Sequence, residues 1–120
     1  MKISIYAVPG CIKHEATTPS QEKIYNDVCK LYNVSTEQAD KYIKTRKRTY
    51  VEIRQTVMTL TRLHWGESKS LAEIGGFFNK DHATAFHAIK TIKNLRDTDR
   101  IFRERTDDLF KNLVWPRRLT

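Results

Sequence analysis

Two short runs in this 120-residue chain carry side chains suited to an anionic, hydrogen-bonding partner. One is Arg46-Lys47-Arg48, followed by Arg54-Gln55; the other is Lys80-Asp81-His82-Ala83-Thr84. Basic side chains neutralise phosphates. Imidazole and hydroxyl groups donate to base acceptors, and the methyl groups of Ala83 and Thr84 suit the methyl of a thymine. Asp81 and Thr84 also suffice as a plain helix cap with His82 in water, so the second run by itself leaves both readings open. Other chemistry is poorly provided for. His14, His64, His82 and His87 are scattered, and no carboxylate stands at metalloprotease spacing. Gly10, Gly66, Gly75 and Gly76 cannot build a phosphate loop. Cys11 and Cys29 lack metal or redox spacing and are read as reduced thiols. No catalytic residue, metal site or cofactor is expected.

Charge points the same way. Lys and Arg number 22 against 14 Asp and Glu, a formal net charge of +8. The segment 41–54 holds Lys41, Lys44, Arg46, Lys47, Arg48 and Arg54 against Glu52 alone. A solvated basic loop would look similar, but the imbalance favours an anionic partner, nucleic acid before membrane. The length fits one domain, and 39% hydrophobic with 30% charged residues fits a soluble globular protein. No apolar run approaches the roughly 18–20 residues of a membrane span. The opening Met1–Val8 is broken by Pro9-Gly10, so no secretory signal is expected and the location is read as cytoplasmic.

These side chains must be positioned by helices. Thr18-Pro19-Ser20-Gln21 starts a helix over about 19–32, with Ile24, Val28 and Leu31 inward and Asn33 able to close it. Ser35-Thr36-Glu37-Gln38 is a second capping box, opening a short helix to about Tyr42. A basic loop at 41–49 follows. Thr49-Tyr50-Val51-Glu52 is a third box, before a helix over about 50–64 with Ile53, Val57, Leu60 and Leu63 as its stripe. Ser70-Leu71-Ala72-Glu73 heads a short helix with Leu71, Ile74 and Phe78 inward; Asn79-Lys80 breaks it, and Asp81 caps a longer helix over about 82–96. A last helix near 100–113 carries Ile101, Phe102, Leu109, Phe110 and Leu113. The expectation is an all-α fold of about six helices, with a helix-turn-helix at about 70–96. Residues 1–17 read as an arm or short extended segment, 18–114 as the helical domain, and 115–120 as a basic tail. Phe77, Phe78 and Phe86 are read as core rather than as a base-stacking platform, and Trp65 and Trp115 as plugs at helix ends.

In this order and spacing the segment from Ile24 to Leu113 resembles the C-terminal DNA-binding domain of the bacterial chromosomal replication initiator DnaA. The resemblance rests on Arg46-Lys47-Arg48 leading into Arg54-Gln55, on Leu71-Ala72-Glu73-Ile74-Gly75, and on Lys80 through Ala88. Tyr32-Asn33-Val34-Ser35 matches the turn between the first two helices. It implies a Trp-repressor-like helical bundle. It also implies that Arg46 enters the minor groove, with Lys47 and Arg48 on phosphates, Arg54 and Gln55 at the next helix start, and Arg62 on phosphate. Leu71 and Ala72 would offer backbone N–H groups to phosphate, and Asp81, His82, Ala83 and Thr84, preceded by Lys80, would form the major-groove reading turn.

The chain departs from the family pattern in four places. Ala83 stands for the first threonine of the reading run, and Asn79-Lys80 replaces a glycine pair and arginine, one residue shorter. The turn after Leu63 is about two residues longer, and Ile53 replaces a proline. These changes bear on the sequence read. The family's ATP-binding domain has no counterpart within these 120 residues, so the chain is expected neither to hydrolyse ATP nor to melt an origin. The expected function is sequence-specific binding of double-stranded DNA at sites like those of the initiator, in replication initiation or its regulation. The alternatives are a module that keeps the fold but binds a replication or regulatory protein, and a transcriptional or mobile-element regulator with another DNA site.

Overall fold

A computed structural model describes residues 18–115. The expected arm at 1–17, with Cys11, and the tail beyond Trp115 lie outside the described residues. Within them are six α-helices: α1 (Gln21–Leu31), α2 (Thr36–Tyr42), α3 (Arg48–Trp65), α4 (Leu71–Gly76), α5 (His82–Thr98) and α6 (Arg100–Phe110). A 3-10 turn, Gly66–Ser68, follows α3, and no strand occurs among the described residues.

Helix starts follow local chemistry, with three corrections. The first cap is Ser20, not Thr18: its hydroxyl accepts from Lys23 N at 3.1 Å, so α1 begins two residues later than Pro19. Ser35 caps α2, but Gln38 sends its amide to the Tyr50 hydroxyl at 3.0 Å and leaves the box half-made. Ser70 and Glu73 form the complete reciprocal box that heads α4. Ser70→Ala should therefore cost about 1 kcal/mol of stability, measured by urea unfolding. The third box is not used. Helix α3 starts at Arg48, with Lys47 in the cap position and no side-chain cap bond. Glu52 is occupied elsewhere, accepting from the Tyr32 hydroxyl at 2.9 Å and from Arg48 Nε at 3.0 Å. The basic loop is accordingly shorter than 41–49: Lys41 and Tyr42 belong to α2, and Arg48 and Thr49 to α3.

Helix α3 is the central strut, packed on α1, α4 and α5. Its Ile53, Val57 and Met58 are fully buried and join Val28, Ile74, Ala85 and Ile92 in one core. Gln21, also buried, donates through Nε2 to the Ile74 carbonyl at 3.1 Å and ties α1 to α4. Asn33 closes α1 with φ 55°, as its side chain allows. On α6, Phe102, Thr106 and Phe110 point inward at four-residue spacing. Ile101 is a quarter-turn off that line and is 73% exposed, against the core role its hydropathy suggested. Arg96 locks α6 to α5, donating to Thr106 Oγ1 at 2.7 Å and Asp107 Oδ1 at 3.0 Å while lying over the Phe110 ring. Phe78 is buried, whereas Phe77 is 41% exposed and Phe86 half-buried beneath Lys90. Both tryptophans pack at helix ends: Trp65 donates to the Pro19 carbonyl at 2.8 Å, and Trp115 stacks on Phe110. Cys29 is buried, and burial with the nearby Asp40 carboxylate pushes its thiol up to about 11.

Candidate nucleic-acid interface

The angle between α4 and α5 is set by a turn wound on one carbonyl. Gly75 O accepts from Phe78 N at 3.0 Å and Lys80 N at 2.9 Å, and Asn79 takes the left-handed conformation at φ 62°. A Cβ on Gly75 would stand 2.6 Å from Asp81 O and 2.8 Å from Lys80 O, so only glycine lets the two helices approach this closely. The turn delivers Asp81 to the cap of α5, where its Oδ1 accepts from Thr84 N at 2.9 Å. His82, Ala83 and Thr84 are all exposed in the first turn.

That first turn faces α3. Arg54, Gln55 and Met58 line one wall of a concavity of about 390 Å³, and Asp81, Ala83, Thr84, His87 and Ala88 line the other. A second concavity, about 540 Å³, continues along α5 past Thr91, Asn94 and Thr98 to Arg46 and Arg48. Gln55 borders both. Arg46, Arg48, Arg54 and Gln55 thus border the same continuous surface as Asp81, Ala83 and Thr84, whereas Lys47 and His82 line neither concavity. Lys80 precedes it at the turn, half-buried, and Leu71 and Ala72 sit at the start of α4 behind Ser70. Sequence reasoning missed His87, Thr91 and Asn94. Their spacing from Thr84 places all of them on one side of a helix, a regularity visible once the helix is accepted.

The basic residues differ in how they are held. Arg46 is exposed and, among the described residues, its guanidinium has no hydrogen-bond or ion-pair partner. Lys47 lies over the Tyr42 ring with Nζ 5.5 Å from its centroid, and Arg48 pairs with Glu52. Arg54 is half-buried, its Nη1 donating to the Ile43 carbonyl, and burial lowers its pKa. Arg62 is buried and bonded to the Gly66 and Lys69 carbonyls. Three cations therefore crowd the uncapped, positive end of α3, which is unfavourable for the isolated protein and favourable for an anion.

The Thr84 amide holds the Asp81 carboxyl below its ordinary range. A carboxylate depressed in the folded state contributes stability above its unfolded pKa near 3.8, and loses it as pH falls through the lower folded value. In Asp81→Asn, whose amide oxygen still caps without titrating, the acid-side loss of stability should be smaller than in the wild type. Circular dichroism across pH 2–5 (roughly the carboxylate titration range) checks this; parallel acid limbs in the two proteins would contradict it.

Six helices, a tight helix-turn-helix and a basic loop beside its second helix define a helix-turn-helix protein with a second, loop-borne contact surface. The model of the bacterial dnaA protein helix-turn-helix matches residues 21–92, and the chain belongs to that family. It is thus a helix-turn-helix domain of the dnaA type. It is similar to the chromosomal replication initiator protein DnaA of Bacteroides fragilis, 36% identical over 99 residues, which are 82% of this chain and 20% of that protein. The corresponding protein of Flavobacterium psychrophilum is 44% identical over 71 residues, 58% of this chain and 14% of the relative. That of Ehrlichia ruminantium is 39% identical over 84 residues, 69% and 17% respectively. The chain therefore spans about a fifth or less of the length of these relatives. No solved structure matches it. Among the described residues no helix is long and apolar enough to cross a membrane.

Proposed function

We propose that the chain binds double-stranded DNA sequence-specifically and without catalysis, at sites like those of the replication initiator. The observation that carries this is the shared concavity, in which Arg54 and Gln55 of α3 stand opposite Asp81, Ala83 and Thr84 of α5. The first turn of α5 reads base edges in the major groove, with His82 and Thr84 as hydrogen-bonding groups and Ala83 presenting a methyl to thymine. Arg46, unengaged among the described residues, enters the adjacent minor groove. Lys47, Arg48 and the amides at Leu71 and Ala72 meet phosphates and set the register.

Selection of bound sites from random duplex DNA, read by sequencing, tests the proposal. Enrichment of initiator-like sites supports it in full. Enrichment of a different site keeps the DNA-binding role and removes the link to replication. Absence of duplex affinity at about 50 mM salt, where phosphate contacts are strongest, would overturn it in favour of a module that binds a protein.

A further inference from the structure

Two arginines of α3 are engaged with backbone carbonyls of the protein, Arg62 buried and Arg54 half-buried at the edge of the concavity. Arg62 is 8% exposed, and its Nη1 donates to the carbonyls of Gly66 and Lys69 at 3.2 Å each. Arg54 donates from Nη1 to the carbonyl of Ile43. These acceptors sit at particular places: Ile43 is the C-cap of α2, Gly66 the C-cap of α3, and Lys69 precedes Ser70, the cap of α4. The last carbonyls of a helix lack partners within it and carry its negative end, so a guanidinium there gains hydrogen bonds and charge together. Ile43 is also where the basic loop begins, and Lys69 leads directly into Leu71 and Ala72. Both backbone segments of the interface are therefore tied to the same helix, by arginines about 12 Å apart along its axis.

We propose that Arg54 and Arg62 are positioning residues that fix the basic loop and the start of α4 relative to one another, Arg54 through Ile43 and Arg62 through Gly66 and Lys69. This rests on the DNA-binding reading above. Every one of these bonds comes from Nη1, so the role needs a donor at the guanidinium's reach and angle, not merely a charge. A lysine in either place keeps the charge but offers a single ammonium on a shorter, differently shaped head. A phosphate contact has the opposite requirement, because lysine serves it as a point charge.

The test is duplex affinity against salt for wild type, Arg54→Lys, Arg62→Lys and Arg62→Met, with Lys47→Ala as the phosphate-contact reference. Circular dichroism and melting curves establish that each variant is folded. The expected result is about tenfold weaker binding in all three arginine variants, with the wild-type slope of log affinity on log salt. Lys47→Ala should flatten that slope by about 0.9. The proposal is overturned if Arg54→Lys and Arg62→Lys bind like wild type while Arg62→Met loses affinity with a flatter slope, the pattern of a direct phosphate contact. It is equally overturned if the variants melt earlier yet bind DNA unchanged when folded, the pattern of a role in stability alone. If Arg62→Met does not fold, the two lysine variants decide. Wild type that binds no duplex would refute the DNA-binding reading itself, not the clamp.

Discussion

Gly75→Ala is expected to destabilise the fold by about 3 kcal/mol and to remove measurable duplex binding at salt concentrations where the wild type binds. The glycine lies in α4 and is buried, and a Cβ there would meet backbone oxygens of Lys80 and Asp81 rather than flexible side-chain ends. Backbone cannot move aside without pulling on the Gly75 carbonyl, which holds the turn through Phe78 N and Lys80 N. Relief therefore means opening the angle between α4 and α5, which carries the reading turn away from Arg54 and Gln55. Urea unfolding measures the first effect, and fluorescence anisotropy with a labelled duplex the second. Gly76→Ala is the control: nothing lies within 4 Å of a Cβ at Gly76, so the same change one residue on should be nearly neutral. Similar losses at both positions would show that helix α4 tolerates no change at all and would remove the argument from close approach.

Arg46→Ala is expected to lower affinity for the selected site by about 1–3 kcal/mol and to leave binding to scrambled duplex much less affected. Three cations surround the start of α3, but they are not equivalent. Lys47 lies against Tyr42 and Arg48 is paired with Glu52, whereas Arg46 is exposed and unengaged among the described residues. It can reach a groove without breaking an internal contact. The readout is the ratio of affinities for selected and scrambled duplex in the same buffer. A fall in both by the same factor would make Arg46 a phosphate contact and strip it of any part in reading sequence.

Much of this architecture could be read from single residues. Ser35, Ser70 and Asp81 accept from the backbone three residues on, as their types require, and the apolar stripes of α1, α3 and α5 follow helical spacing. What local pattern could not show is competition for the same group. Glu52 fits a capping box with Thr49, yet the Tyr32 hydroxyl and Arg48 take its oxygens, so α3 begins earlier and the basic loop contracts. Ile101 is as apolar as Phe102, but only the residue facing α5 and the core is buried. The interface was legible as residue types and order. Arg54 reaches back to Ile43, and Arg62 reaches on to Gly66 and Lys69, across turns whose path the apolar periodicity does not encode.

The bare start of α3 gives ionic strength two opposing jobs. In the unbound protein, Arg46, Lys47 and Arg48 crowd the positive pole of the helix, with no side-chain cap and with the Arg48–Glu52 pair as a partial offset. Dissolved salt mutes that self-repulsion, so the first turn of α3 should fray less, and its amides exchange more slowly, as salt rises. The same salt weakens the complex, because a bound phosphate strand is what otherwise quiets those charges. In the proposed complex, part of the free energy of docking would then be an ordering of the protein's own helix, shrinking as the solution takes over that task.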